Sequence, residues 1–458
     1  MLPLHTKVAA IDDNEDHLQK IIWGLGKAGF GPLPFLFSDG KLEGAPSKPI
    51  PGIRLVFSDI HITPGGQNNN NLNASNIVKC LKAIVREGPY ALIFWSQFPD
   101  DFEKIQPLVE QRAVEQGVTV PLVFAAMDKS EVFKLNTAAG VNDEFDASKL
   151  RDLILDQVRD YKTLAVAASW DSRVAAAAAK TTNQLFKLAD ACEDRRAVWS
   201  QLLAYLACES SGYTKAKQST GEAIDSALLP LLEDQLSLIS RELDDNAENL
   251  SEITQALTTR PKLPKSINRE MLNSSYLIEE LSIGSHYRVS DRGVVTRLGG
   301  GFVNSGEFVR AFGIADEELI RKEFACKDLT PDEKSKARLH VVEIGPECDH
   351  VQGKVSTHIY LLALLVPASL RQEKCVEKSK DGKSILRYRN ISIWDSGALN
   401  LTGRDEAHHL LISCRCFMAL SPEAAATGEP QFRLRKDLLN EVLHQYTTHA
   451  RRPGVMRF

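Results

Sequence analysis

The chain has 458 residues, of which 25% are charged and 43% hydrophobic, an ordinary composition for a globular protein in water. Domains commonly run about 100–200 residues, so this length implies two or three cores. The formal net charge of -5 argues against a dedicated nucleic-acid binder, which would present a basic face.

Residues Met1 to Thr6 show no basic segment leading into an apolar run, so no secretion signal is expected. The longest apolar stretch, Ile359 to Leu370, is interrupted by Pro367 and falls short of the roughly 20 residues that cross a bilayer. The expected location is the cytoplasm, with no membrane partner. Eight cysteines are scattered along the chain: Cys80, Cys192, Cys208, Cys326, Cys348, Cys375, Cys414 and Cys416. Reduced thiols are expected there. Cys348, His350, Cys414 and Cys416 together have the donor types of a zinc site, but buried structural cysteines are the simpler reading.

Residues 1–150 alternate strand-like and helix-like runs. Lys7–Ile11 is a short apolar strand that ends at Asp12 and Asp13. Asp16–Ala28 places Leu18, Ile21, Ile22 and Leu25 at helical spacing, and Gly29 ends it. Ile53–Phe57 is a second strand, ending at Ser58 and Asp59. The asparagine-rich Gln67–Ser75 reads as a solvent loop, followed by a helix over Ala74–Glu87. Ala91–Trp95 is a strand ending at Ser96, Phe102–Gln116 a helix, and Val118–Ala126 a strand ending near Asp128 and Lys129. Such alternation predicts a doubly wound parallel sheet, an α/β fold.

Residues 151–258 read as helices: Trp170–Ala191 with Ser169 as N-cap, Ala197–Glu209, and Glu222–Leu243 kinked or split at Pro230. A bundle or a homodimer contact fits these. Pro261 and Pro264 mark a linker, and residues 267–458 read as a separate α+β domain. Its strands are expected at Leu339–Ile344, Val355–Val366, Ile385–Trp394 and His409–Met418, and its helix at Leu434–Ala450. Gly299–Gly301 reads as a tight turn. His408 and His409, beside Asp405 and Glu406, read as a solvated loop. Cys348, Asp349, His350 and Lys354 would have to share a pocket if this domain were an enzyme; a structural turn is the preferred reading.

In a doubly wound sheet the carboxyl ends of the strands lie side by side, and chemistry gathers there. Asp12, Asp13, Asp59, Ser96 and Lys129 all fall at such ends. Clustered carboxylates repel and require a cation, and oxygen donors with room for water suit Mg²⁺. Asp59 is then a nucleophile for phosphorus. Asp12 and Asp13 hold the metal with it, Lys129 meets a phosphoryl oxygen, and Ser96 donates a hydrogen bond to another.

Four strings carry a resemblance. They are Val8–Asn14 (VAAIDDN), Leu55–Ile60 (LVFSDI), Leu92–Ser96 (LIFWS), and Pro121–Phe124 with the later Lys129. In this order they resemble the receiver domains of two-component response regulators, over about the first third of the chain. That resemblance implies a flavodoxin-like fold, phosphorylation of Asp59 by a sensor histidine kinase, and the backbone carbonyl of His61 as a further Mg²⁺ ligand. Departures from the family pattern are Ser130 where a proline is usual, Ala126 near the position of a usual aromatic, and a lengthened loop after Asp59. The whole chain is similar to the stand-alone receiver proteins of bacterial anti-phage two-component systems of the Detocs type. This implies a phosphate sink, a phosphoacceptor that at most dephosphorylates itself. The competing reading is a response regulator whose C-terminal domain is a true effector, enzymatic or nucleic-acid binding.

Overall fold

A computed structural model describes residues 7–62, 69–85, 87–96, 99–129, 150, 152–154, 156, 162–242, 250–281, 287–378, 384–386, 392–421 and 428–450. The chain divides into two compact units. The first holds residues 1–195 and 228–261, and the second 196–227 and 262–458.

The first unit is built on a sheet of six strands: β1 (Lys7–Asp12), β2 (Gly31–Ser38), β3 (Lys41–Leu42), β4 (Ile53–Ser58), β5 (Ala91–Ser96) and β6 (Val123–Asp128). Their spatial order is β3-β2-β1-β4-β5-β6. All pairings are parallel except the β2–β3 hairpin. Without that short hairpin partner the order is 2-1-3-4-5, one of the two common doubly wound arrangements. β1, β4 and β5 are buried along nearly their whole length, which is why each reads as an unbroken apolar run. One face of the sheet packs Val8, Phe57, Ile93 and Trp95 against Leu18, Ile21 and Leu25 of helix α1 (Glu15–Lys27). The other packs Val56, Leu92 and Phe94 against α2 (Asn70–Ile84) and α3 (Phe102–Glu115).

The sheet and the helix after β4 differ from the sequence reading. β2 was not anticipated, because Pro32 and Pro34 argue against a strand. It lies between β1 and the short edge strand β3, with Phe35 and Phe37 turned into the core. The asparagine run is not a loop up to Ser75. Asn69 is an N-cap whose side chain accepts from the Leu72 N–H at 3.0 Å, and Asn70 already begins α2.

Helix α4 (Lys162–Asp190) follows, and its Leu164, Ala165 and Ala168 join the α1 face of the core. Arg54 Nε donates to Asp171 of this helix at 2.7 Å. Ser169 lies inside α4 and does not cap it. Pro230 lies within an unbroken helix, Thr220–Glu242.

The second unit is built on a seven-stranded sheet of β7 (Ile278–Glu280), β8 (Val294–Arg297), β9 (Arg338–Glu343), β10 (His358–Pro367), β13 (Ile393–Leu399), β14 (His408–Leu420) and β15 (Glu429–Leu434). A separate pair joins β11 (Val376–Lys378) to β12 (Ser384–Leu386). The order of the large sheet is β13-β14-β10-β9-β8-β15-β7, antiparallel throughout. One face carries Leu361, Leu365 and Leu410 against Leu438, Leu439 and Val442 of the helix Lys436–Ala450. The other carries Leu362, Leu364 and Leu411 with Phe308, Leu319 and Phe324. The expected strand Ile385–Trp394 is divided between β12 and β13; residues 387–391 between them lie outside the described residues. Gly299 precedes a short helical turn, Gly300–Val303, instead of a tight turn. Cys326 and Cys375, both buried, form a disulfide, which corrects the expectation that every thiol is reduced. Among the described residues no helix is long and apolar enough to cross a membrane.

Candidate functional site

Strand polarity brings four of the expected side chains together. Asp12 ends β1, Asp59 follows β4, Ser96 ends β5 and Lys129 follows β6. The Lys129 ammonium lies between the two acids, with Nζ 2.8 Å from Asp12 Oδ2 and 2.7 Å from Asp59 Oδ2. Ser96, also buried, hydrogen-bonds the Asp59 carboxylate.

Backbone donors hold the remaining oxygens. Asp12 Oδ1 accepts from the Asn14 N–H at 2.9 Å. Asp59 Oδ1 accepts from the N–H of Ile60 at 2.6 Å and from that of His61 at 3.4 Å. Asn14 also N-caps α1, accepting from the His17 N–H at 3.1 Å. The first turn of α1 is thereby fixed against the strand end.

The electrostatics follow from burial and crowding. Burial works to raise Asp59, but the Lys129 ammonium and the Ser96 and His61 hydrogen bonds more than cancel it, so Asp59 stays below the usual carboxylate range. Asp12 is pushed up by burial, against the pull of Lys129. Asp13 is pushed up to about 6 by burial and then by the charges of Asp12 and Asp59. Burial opposes the charge on Lys129, yet Asp59 and Asp12 keep it raised. Three carboxylates thus face one ammonium. That surplus of negative charge on hard oxygen donors is the environment that fits a bound Mg²⁺.

The structure adds a residue that the sequence reading did not select. His17, from the first turn of α1, has a ring nitrogen within 4.8 Å of carboxylate oxygens of both Asp12 and Asp59. Burial and then Lys129 lower its pKa. Asp13 is not in that tight group, and it acts on the group through charge. The ring of His61 is turned toward Asp101, with Nε2 3.3 Å from Oδ2. Phe124 stacks on Phe94 with centroids 6.5 Å apart. Ser130 lies outside the described residues.

The other candidates separate. The donors of Cys348, His350, Cys414 and Cys416 form no common group among the described residues. Cys348 is exposed on the helix Glu347–Gln352. Cys414 lies on β14, its thiol pushed up to about 11 by burial and then by Glu323, and Cys416 is raised by the same causes. Lys354 is exposed as well, so no pocket gathers Cys348, Asp349, His350 and Lys354. His408 and His409 are not in a solvated loop. Both are buried at the start of β14, and His409 Nδ1 lies 2.8 Å from Asp395 Oδ1. Burial first opposes the charge on Asp395, but His409 and Arg371 hold it down at about 2.

No family model and no curated protein matches the chain. A search of solved structures finds similarity to full-length FixJ from B. japonicum at 17% identity, covering 52% of this chain and 98% of that one, with a TM-score of 0.21. That score is too low to bear on fold or function. The parallel sheet and the polar residues at its strand ends stand on their own geometry.

Proposed function

We propose that the N-terminal domain is a receiver that accepts a phosphoryl group on Asp59 from a partner histidine kinase. The observation that supports this most is the buried Lys129 ammonium between Asp12 and Asp59, at 2.8 and 2.7 Å. A lysine at a turn has no reason to bury itself between two acids. A lysine that must follow charge from a carboxylate to an arriving phosphoryl oxygen does. In the transfer, an Asp59 oxygen forms a bond to phosphorus as the phosphorus–nitrogen bond of the donor histidine breaks. The imidazole leaves with that electron pair. Ser96, already at the carboxylate, donates to one phosphoryl oxygen, and Lys129 neutralises another. Asp12 and Asp13, with Asp59 and the His61 carbonyl, would hold Mg²⁺, which when bound offsets the charge on the transferring group.

The role of the acceptor is phosphate buffer or sink in anti-phage signalling. This reading rests on the sequence, where a divergent acceptor domain is followed by segments with no recognised enzyme motif, an arrangement that resembles the Detocs-type stand-alone receivers. A response regulator with a true C-terminal effector is the second reading, favoured by one observation, the Glu343, His350 and His358 cluster of the second unit.

The test is intact mass after incubation with Mg²⁺ and either acetyl phosphate or the partner kinase. One phosphoryl group is expected on the wild type and none on Asp59→Ala. In a mixture with the kinase and a second receiver, a sink drains phosphate from that receiver, and Asp59→Ala does not. No incorporation from a kinase shown to be active would overturn the acceptor reading. Incorporation without drainage would overturn the sink alone.

A further inference from the structure

Glu343 closes β9, and its side chain is wholly buried. It pairs across the ladder with Tyr360. His358, two residues earlier on β10, shares that face. The connection between β9 and β10 carries the helix Glu347–Gln352, which supplies His350.

The two histidines converge on one oxygen of Glu343. Glu343 Oε2 is already engaged, accepting from the Gly345 N–H at 3.1 Å. Oε1 faces His358 Nδ1 at 3.3 Å and His350 Nε2 at 2.9 Å. The three donor atoms lie within 4.8 Å of one another. Despite its closeness, the buried His350 Nε2 makes no hydrogen bond. A ring nitrogen beside a carboxylate oxygen, off the hydrogen-bonding axis, is placed to share a positive centre lying between them. Among the described residues Glu343 has ion pairs only with these two histidines, and a buried carboxylate needs a counter-charge.

We propose that Glu343, His350 and His358 form a binding site for a divalent transition-metal ion of the zinc class. A tetrahedral ion with ligands at about 2.0–2.2 Å sets its donor atoms about 3.3–3.6 Å apart. His358 Nδ1, at 3.3 Å from Glu343 Oε1, already has that spacing, and His350 Nε2, at 2.9 Å, would move outward by roughly half an ångström to reach it. Two imidazoles and one carboxylate suit zinc, whereas the carboxylates of Asp12, Asp13 and Asp59 suit Mg²⁺. The Gly345 N–H orients the carboxylate from outside, as metal sites commonly require. Gly345 also keeps the space clear. A Cβ there would lie 2.7 Å from Glu343 Oε1 and 2.9 Å from His350 Nε2. Three protein ligands leave one position for water or a substrate atom, the arrangement of open sites. Bound metal would also tie the helix Glu347–Gln352 to the β9–β10 ladder.

The test uses the full chain, stripped with a chelator and titrated with Zn²⁺, or with Co²⁺ as a visible reporter, in excess Mg²⁺. The wild type should bind one tight equivalent, and Co²⁺ should give the absorption of a four-coordinate site. His358→Gln and His350→Gln should each weaken Zn²⁺ by at least about 100-fold, beyond the loss seen for supporting residues. Asp59→Ala should bind the same equivalent as wild type, which separates this site from the acidic one. His350 is only partly buried on a short helix, so its replacement tests the ligand even if the His358 variant misfolds. A wild-type chain that binds no tight equivalent overturns the proposal, as does one whose binding survives His350→Gln.

Discussion

Lys129→Met is the perturbation that probes the acidic site most directly. It keeps the length of the side chain and removes the ammonium, which makes ion pairs of 2.8 and 2.7 Å with Asp12 and Asp59. At an effective dielectric of about 20, each such pair is worth about 6 kcal/mol before desolvation. Burying the three charges offsets most of that gain, and removing one partner of a buried pair commonly costs about 3–5 kcal/mol. The cost belongs at the low end, because the Asp59 side chain is 13% exposed and water can screen it. A loss of about 3 kcal/mol lowers the melting temperature of a domain of this size by about 6–12 °C. The assay is thermal unfolding of the full chain, wild type and variant, first in chelator and then in millimolar Mg²⁺. In chelator the variant should melt well below wild type. Mg²⁺ should raise the variant more, because the ion supplies the lost counter-charge. Equal melting of the two proteins in chelator would refute the claim that Lys129 holds two repelling acids together. Equal gains in Mg²⁺ would refute the claim that lysine and metal share one task.

Two further outcomes are expected. Asp13 is raised to about 6 in the fold from a reference of 3.8, so the metal-free native state binds the proton more tightly than the unfolded chain does. Stability then falls as pH rises from about 4 to 6 and stays low above that. Asp13→Asn should therefore stabilise the metal-free protein at pH 7 and progressively less toward pH 4; a gain independent of pH, read by urea titration, would be wrong for this cause. Burial pushes the thiols of Cys80 and Cys414 to about 12 and 11, and Cys348 is exposed. Brief alkylation of the native chain followed by peptide mapping should mark Cys348 first and leave Cys80 and Cys414 unmarked until denaturation.

What the sequence made legible was governed by the range of the interactions involved. Asp12, Asp59, Ser96 and Lys129 could be found because central parallel strands are buried on both faces and read as apolar runs that stop at a polar residue. Their convergence then follows from topology, without any need for register. β2 was hidden because Pro32 and Pro34 lack ladder donors, a defect tolerated near the sheet edge. The asparagine run misled because Asn both ends structure and caps it. Only the Asn69 hydrogen bond to the Leu72 N–H separates the two roles. His17 stands beside the inward-facing Leu18 of α1, and helical spacing says nothing of how that first turn meets Asp12 and Asp59.

In the second unit the failures share a cause. His408 and His409 follow a polar stretch, yet β14 already begins with them. The string from Glu343 to Lys354 suggested Cys348, Asp349, His350 and Lys354 as partners, because they are neighbours in sequence. The fold instead keeps His350 from that string and joins it to Glu343 and to His358, which the ladder delivers from the next strand. Antiparallel register, unlike a parallel strand end, is set by pairing over the whole sheet, and a slip of one residue would turn Glu343 or His358 to the opposite face. A site built across such a ladder therefore stays invisible until the register is known, whereas a site at parallel strand ends can be read from the chain.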